Sequence, residues 1–118
     1  MNFSERTEQM PQLLDLSKLS GGGDTRVLSG KQRGIQARSD FSLEKFDKEQ
    51  DYVTVKFAPE VQAVTPSFVL GMFGVSVKAY GSVDAFFEKY RFDVRPNLLA
   101  QIRRGAEYSL LKGDPLPF

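Results

Sequence analysis

Tyr52-Val53-Thr54-Val55-Lys56-Phe57-Ala58-Pro59-Glu60-Val61-Gln62-Ala63-Val64-Thr65-Pro66-Ser67-Phe68 is the stretch whose reading decides the fold. Its first six residues are mostly β-branched or aromatic and predict a strand, which the turn-forming Pro59 ends. After residues 61–64 a helix start is spelled out: Thr65 caps, Pro66 suits the first helical position, and Ser67 follows. The helix then runs from Phe68 to Tyr80, and Gly81 stops it. It is apolar almost all the way round, which a surface helix would not be. Two readings stay open for it. Either it is plain core, or Phe68, Met72, Phe73, Val77 and Tyr80 present a face to a protein partner or a second copy. The chain holds 10 phenylalanines, hard to bury in one small core, and this raises the interface reading.

Working outward, residues 12–16 alternate Leu14 and Leu16 against Asp15 and predict a short strand. Gly21-Gly22-Gly23 breaks it, and Asp24 or Thr25 stands ready to cap a helix. From Val27 to about Phe46 the pattern is helical, with Leu28, Ile35, Leu43 and Phe46 inward and Arg33, Arg38 and Lys45 outward. Gly30 and Gly34 each weaken such a helix by roughly 1 kcal/mol relative to Ala. Ser39-Asp40 reads as a second cap, giving two helices or one kinked helix. On the other side, Ser82 caps a helix carrying Val83, Phe86, Phe87 and Tyr90 at helical spacing. Residues 91–94 predict a strand. Pro96-Asn97 opens a last helix with Leu98, Leu99, Ile102 and Ala106 inward and Arg103 and Arg104 outward. The order strand, helix, strand, helix, helix, strand, helix predicts an α/β domain over residues 12–112, a small sheet with helices packed on it. Residues 1–11 read as a tail or edge strand, and the proline-containing residues 113–118 as a tail.

A chain of 118 residues makes one domain with a modest core. A 41% hydrophobic share describes a globular protein, not a disordered one. The sequence has neither His nor Cys, which excludes disulfides, zinc fingers, thiol nucleophiles and imidazole bases. No spacing of Ser, Tyr, Lys or carboxylates marks an active site, so the expectation is a non-catalytic binding module without metal or cofactor. Gly21-Gly22-Gly23-Asp24-Thr25 lacks the dinucleotide fingerprint, and Gly30-Lys31-Gln32 lacks the Ser or Thr of a P-loop. Asp47, Glu49 and Asp51 fall in a hydrophilic connection and read as solvated surface. No export signal or membrane span is visible, so cytoplasmic residence is expected.

Arg26, Lys31, Arg33 and Arg38 form an acid-free basic run, a candidate contact for phosphate groups and the basis of an alternative reading as a nucleotide- or nucleic-acid-binding domain. The chain has 16 Lys+Arg against 15 Asp+Glu, a net charge of +1. A polyanion binder of this size normally carries a larger basic excess, which makes a protein partner the stronger expectation.

The strand at Val53, the turn, the helix start Thr65-Pro66-Ser67-Phe68 and the following Leu70-Gly71-Met72-Phe73-Gly74 resemble the core of STAS-like proteins, relatives of the anti-sigma-factor antagonists. The closer similarity is to a subgroup of STAS-like domains without an assigned function. Its members show a Thr/Ser-Ser-Phe helix start and a glycine in the position of Gly74. Arg26, four residues before Gly30, is similar to the start of that subgroup's first helix. The resemblance implies a signalling or regulatory module, with Ser67 and then Thr65 as phosphoacceptors. It implies as partner an anti-sigma-like or histidine-kinase-type ATPase. The chain departs from the antagonist pattern at three places. Thr65 or Pro66 stands where the family has Asp before the serine, Phe68 where it has Gly, and Lys56 where its strand has Asp.

Overall fold

Short strands are interspersed with helices through the described residues, and each strand is too short to bury a face alone. The computed structural model describes residues 12–17, 19 and 26–111. The expected N-terminal tail or edge strand, the Asp24/Thr25 cap and the C-terminal tail lie outside the described residues. In chain order, the first elements are strands β1 (Gln12–Leu16) and β2 (Val27–Leu28), then helices α1 (Lys31–Asp40) and α2 (Leu43–Lys48). Strands β3 (Val53–Phe57) and β4 (Ala63–Val64) lead into helix α3 (Pro66–Tyr80). Helix α4 (Val83–Lys89), strand β5 (Tyr90–Phe92) and helix α5 (Pro96–Leu111) complete the α/β domain.

The strands form two parallel sheets, one ordered β1-β3-β5 and one pairing β2 with β4. Leu14 lies opposite Val55, and Val55 opposite Phe92, so one face collects Leu14, Leu16, Val53, Val55, Tyr90 and Phe92. All of these except the partly buried Phe92 are closed to solvent, and they join the buried side chains of α3, Leu98, Ile102 and Ala106 in a single core. The opposite face carries Leu13, Asp15, Thr54, Lys56 and Arg91 at the alternate positions.

Helix α3 is the central element. Phe68, Val69, Met72, Phe73 and Val77 are 0–1% exposed. It packs against α1 and α5 through glycines that bring the backbones together. A Cβ on Gly34 would stand 2.3 Å from the Phe68 carbonyl oxygen, and one on Gly71 would stand 2.1 Å from that of Lys31. A Cβ on Gly105 would meet the Val69 side chain at 2.5 Å. Aromatic rings fill the opposite side of α3, with Phe73 edge-on to Phe86, Tyr90 and Phe92.

The segment 27–46 differs most from expectation. Val27 and Leu28 are a strand, and two helices follow. Gly30 is not a weak interior residue but the position before α1, at φ 93°, where a side chain is strained. The break between α1 and α2 falls at Phe41 and Ser42, not at Ser39-Asp40, with Ser42 left-handed at φ 56°. Ile35 and Leu99, expected inside, are 42% and 38% exposed. For Ile35 the reason is Gly34: the bare backbone one residue earlier is what meets α3, which turns Ile35 outward.

Candidate functional site

The start of α3 is built by the short sheet. Strand β4 runs parallel to β2, with Val64 opposite Leu28. The Thr65 N–H donates to the Leu28 carbonyl at 2.9 Å, and the Val64 N–H donates to Gln101 Oε1 at 2.8 Å. Thr65 is thereby held extended, at φ −82° and ψ 156°, the backbone a cap needs. Its Oγ1 accepts from the Phe68 N–H at 3.3 Å and lies 3.2 Å from Ser67 Oγ. Thr65, Pro66 and Ser67 are half-buried, whereas Phe68 to Gly74 are closed to solvent. The two hydroxyls mark one place where this helix reaches the surface; Val75, 53% exposed, and Ala79 mark others. The N-terminal helix dipole there favours negative charge.

A second cluster centres on Asp47 of α2. Its carboxylate accepts from Arg38 Nη2 at 2.7 Å, from Ser76 Oγ at 2.8 and 2.9 Å to its two oxygens, and from the Tyr90 hydroxyl. Arg38 Nη1 also donates to the Met72 carbonyl and to Ser76 Oγ, each at 3.0 Å. Nearby, Lys89 Nζ donates to the carbonyls of Glu49 and Asp51. Burial raises the Tyr90 pKa well above its usual range, and the hydrogen bond to Asp47 adds to this. Burial likewise raises Tyr80, with the Asp47 charge second. For Lys89, burial lowers the pKa against the opposing charges of Asp47, Glu49 and Asp51. Ser76 and Tyr90 have no exposed surface, and Arg38 and Asp47 keep only 12% and 22% of their side-chain surface. The arrangement is a closed clamp that ties α1, α2, α3 and β5 together, with no opening for a substrate at the serine.

The other anticipated residues separate. Phe68, Met72, Phe73 and Val77 are core, which corrects their reading as an interface; of that set only Tyr80 reaches the surface. They are inside because α3 has a neighbouring helix on either flank and the sheet's aromatic rings beneath it. Arg38 turns inward to Asp47, so Arg26, Lys31, Arg33 and Arg38 do not make one anion-binding face. Asp47, read as solvated surface, is the centre of the clamp. One sequence signal pointed to it: Ser76 sits inside an otherwise apolar helix, and a polar group buried there must find a partner. Among the described residues no group of three or more carboxylates is gathered to hold a metal ion, and no helix is long and apolar enough to cross a membrane.

Comparison of the chain with protein-family models, with curated proteins and with solved structures finds no match.

Proposed function

We propose that this chain is a non-catalytic regulatory module, STAS-like in kind, that acts in the cytoplasm by binding another protein and is switched by phosphorylation at the start of α3. The observation that supports the reading is the pair of half-buried hydroxyls, Thr65 and Ser67, at the start of a largely buried helix. Thr65 is occupied as the cap, which leaves Ser67 as the preferred acceptor. A phosphate on Ser67 gains from the helix dipole, so the fold tolerates it. The same dianion opposes a partner docked with an apolar or acidic surface at this end. The partner proposed is a histidine-kinase-type ATPase of the anti-sigma class.

The test is a phosphorylation assay with such an ATPase from the same genome and Mg-ATP, read by intact mass and fragmentation. One added phosphate on Ser67, lost in Ser67→Ala and retained in Thr65→Ser, is the expected result. Absence of label on residues 65–67 while the ATPase is active and bound would remove the switch.

A further inference from the structure

Helices α1, α3 and α5 lie side by side, and the side of this layer turned away from the core is a surface of its own. The Ile35 nitrogen lies 3.0 Å from where a Cβ on Gly71 would stand, and Ser109 Oγ lies 3.6 Å from one on Gly74. Ser67, Gly71, Val75 and Lys78 follow one another at helical spacing along the outward side of α3, with α1 on one flank and α5 on the other. Val75 is 53% exposed, Ile35 on α1 42%, and Tyr108 on α5, next to Ser109, 36%. The charges on this side have one sign. Lys31 of α1 and Arg104 of α5 are exposed, Lys78 of α3 is half-buried, and among the described residues no carboxylate pairs with any of them. Helix α3 has no acidic residue. The one acid of α1, Asp40, accepts from Gln36 at 2.9 Å, and the one acid of α5, Glu107, pairs with Arg103 at 3.8 Å. By helical spacing both acids stand on flanks turned away from α3. In a chain of 16 Lys+Arg and 15 Asp+Glu, a face with cations and no acid is a local asymmetry that the net charge conceals.

We infer that this face docks an acidic amphipathic helix of a partner protein, its apolar stripe on Ile35, Val75 and Tyr108 and its carboxylates on Lys31, Lys78 and Arg104. An apolar strip rimmed by charge of one sign suits an amphipathic helix of the opposite sign. The stretch from Ser67 to Lys78 rises about 16 Å, the length of three helical turns. A second copy fits poorly, because it sets cations against cations. A bilayer fits less well too, because these apolar side chains are half sunk between helices and do not protrude to enter lipid. The inference rests on the phosphorylation reading and deepens it by giving the partner's chemistry: Ser67 closes one end of the face, where a phosphate dianion repels the partner's carboxylates. Docking itself needs no phosphate.

The experiment uses the full, unphosphorylated chain, so its failure is distinct from a failure of phosphoryl transfer to Ser67. The probe is a synthetic four-turn helix with leucine along one stripe and glutamate elsewhere; its control has lysine in place of glutamate. Backbone amide shifts are expected to saturate with the acidic helix and to map to the outward positions of α1, α3 and α5, with the lysine helix about tenfold weaker. Lys31→Glu combined with Arg104→Glu, both at exposed positions, is expected to weaken the acidic helix by about tenfold and to leave the thermal midpoint unchanged. No saturable shift, shifts mapping elsewhere, or equal binding of the two helices would overturn the inference. So would capture of the chain by phosphatidylglycerol vesicles, or a dimer of the peptide-free chain, if either is lost in the double variant.

Discussion

At Asp47, one carboxylate takes hydrogen bonds from an arginine, a serine and a tyrosine that lie 9, 29 and 43 residues away in sequence. Asp47→Asn removes the charge that balances a nearly buried Arg38. Loss of one partner of a buried pair costs about 3–5 kcal/mol; the residual exposure here lowers that to roughly 2 kcal/mol, readable as a reduced urea midpoint at constant slope. Tyr90 gives a pH signature. Its folded pKa lies above the ordinary 10.0, so the unfolded chain releases this proton first. Its contribution is therefore complete below pH 10 and falls as pH rises further, by up to about 1.4 kcal/mol per pH unit. Lys89, whose pKa is lowered, acts in the opposite sense. Tyr90→Phe isolates the tyrosine: its unfolding free energy is expected to decline less between pH 10 and 11 than that of the unaltered protein. At the helix start, Thr65→Ala is expected to lose about 1 kcal/mol in the same denaturation measurement, and Thr65→Ser to lose much less.

Among the elements, α3 was legible in advance from end to end. Its cap, Pro66, its apolar length and Gly81 all carry local chemistry, and the structure starts it at Pro66 and ends it at Tyr80. Ser82 as the cap of α4 was equally readable, its Oγ accepting from the Ala85 N–H at 3.0 Å. The segment 27–46 was not, because its apolar spacing mimics a helix while Leu28 pairs with Val64, a contact that exists only after folding. Glycine was misleading for the same reason. Gly34 looks like a weakness in α1 when read along the helix, yet it is the contact that lets α1 lie on α3. A side chain at Gly71 meets backbone that cannot turn aside, so Gly71→Ala is expected to destabilise by about 3 kcal/mol, at the upper end of overpacking. Calorimetry would check this against Gly81→Ala, where the space is open and only the left-handed backbone, φ 87°, opposes a side chain.

Across the whole molecule, parallel sheets are usually covered on both faces. Here the helix-bearing face is dry, while Leu13 on the other is 55% exposed and the Lys56 side chain 53%. The α/β architecture followed from the alternation of periods alone. The split into two sheets, the β1-β3-β5 order and the polar clamp did not, since each depends on pairings between distant residues. Of the candidate site, the Thr65-Ser67 start was legible because capping is local; the burial of Phe68, Met72, Phe73 and Val77 needed the positions of α1 and α5. With those four side chains buried, the proposed switch rests on the half-buried start of α3. The measurement that bears most directly on this is calorimetric titration of the histidine-kinase-type ATPase with three forms of the chain. The unaltered protein and Ser67→Ala are expected to bind alike, and Ser67→Asp at least tenfold more weakly. Equal affinity for all three, or no binding by any of them, would contradict it.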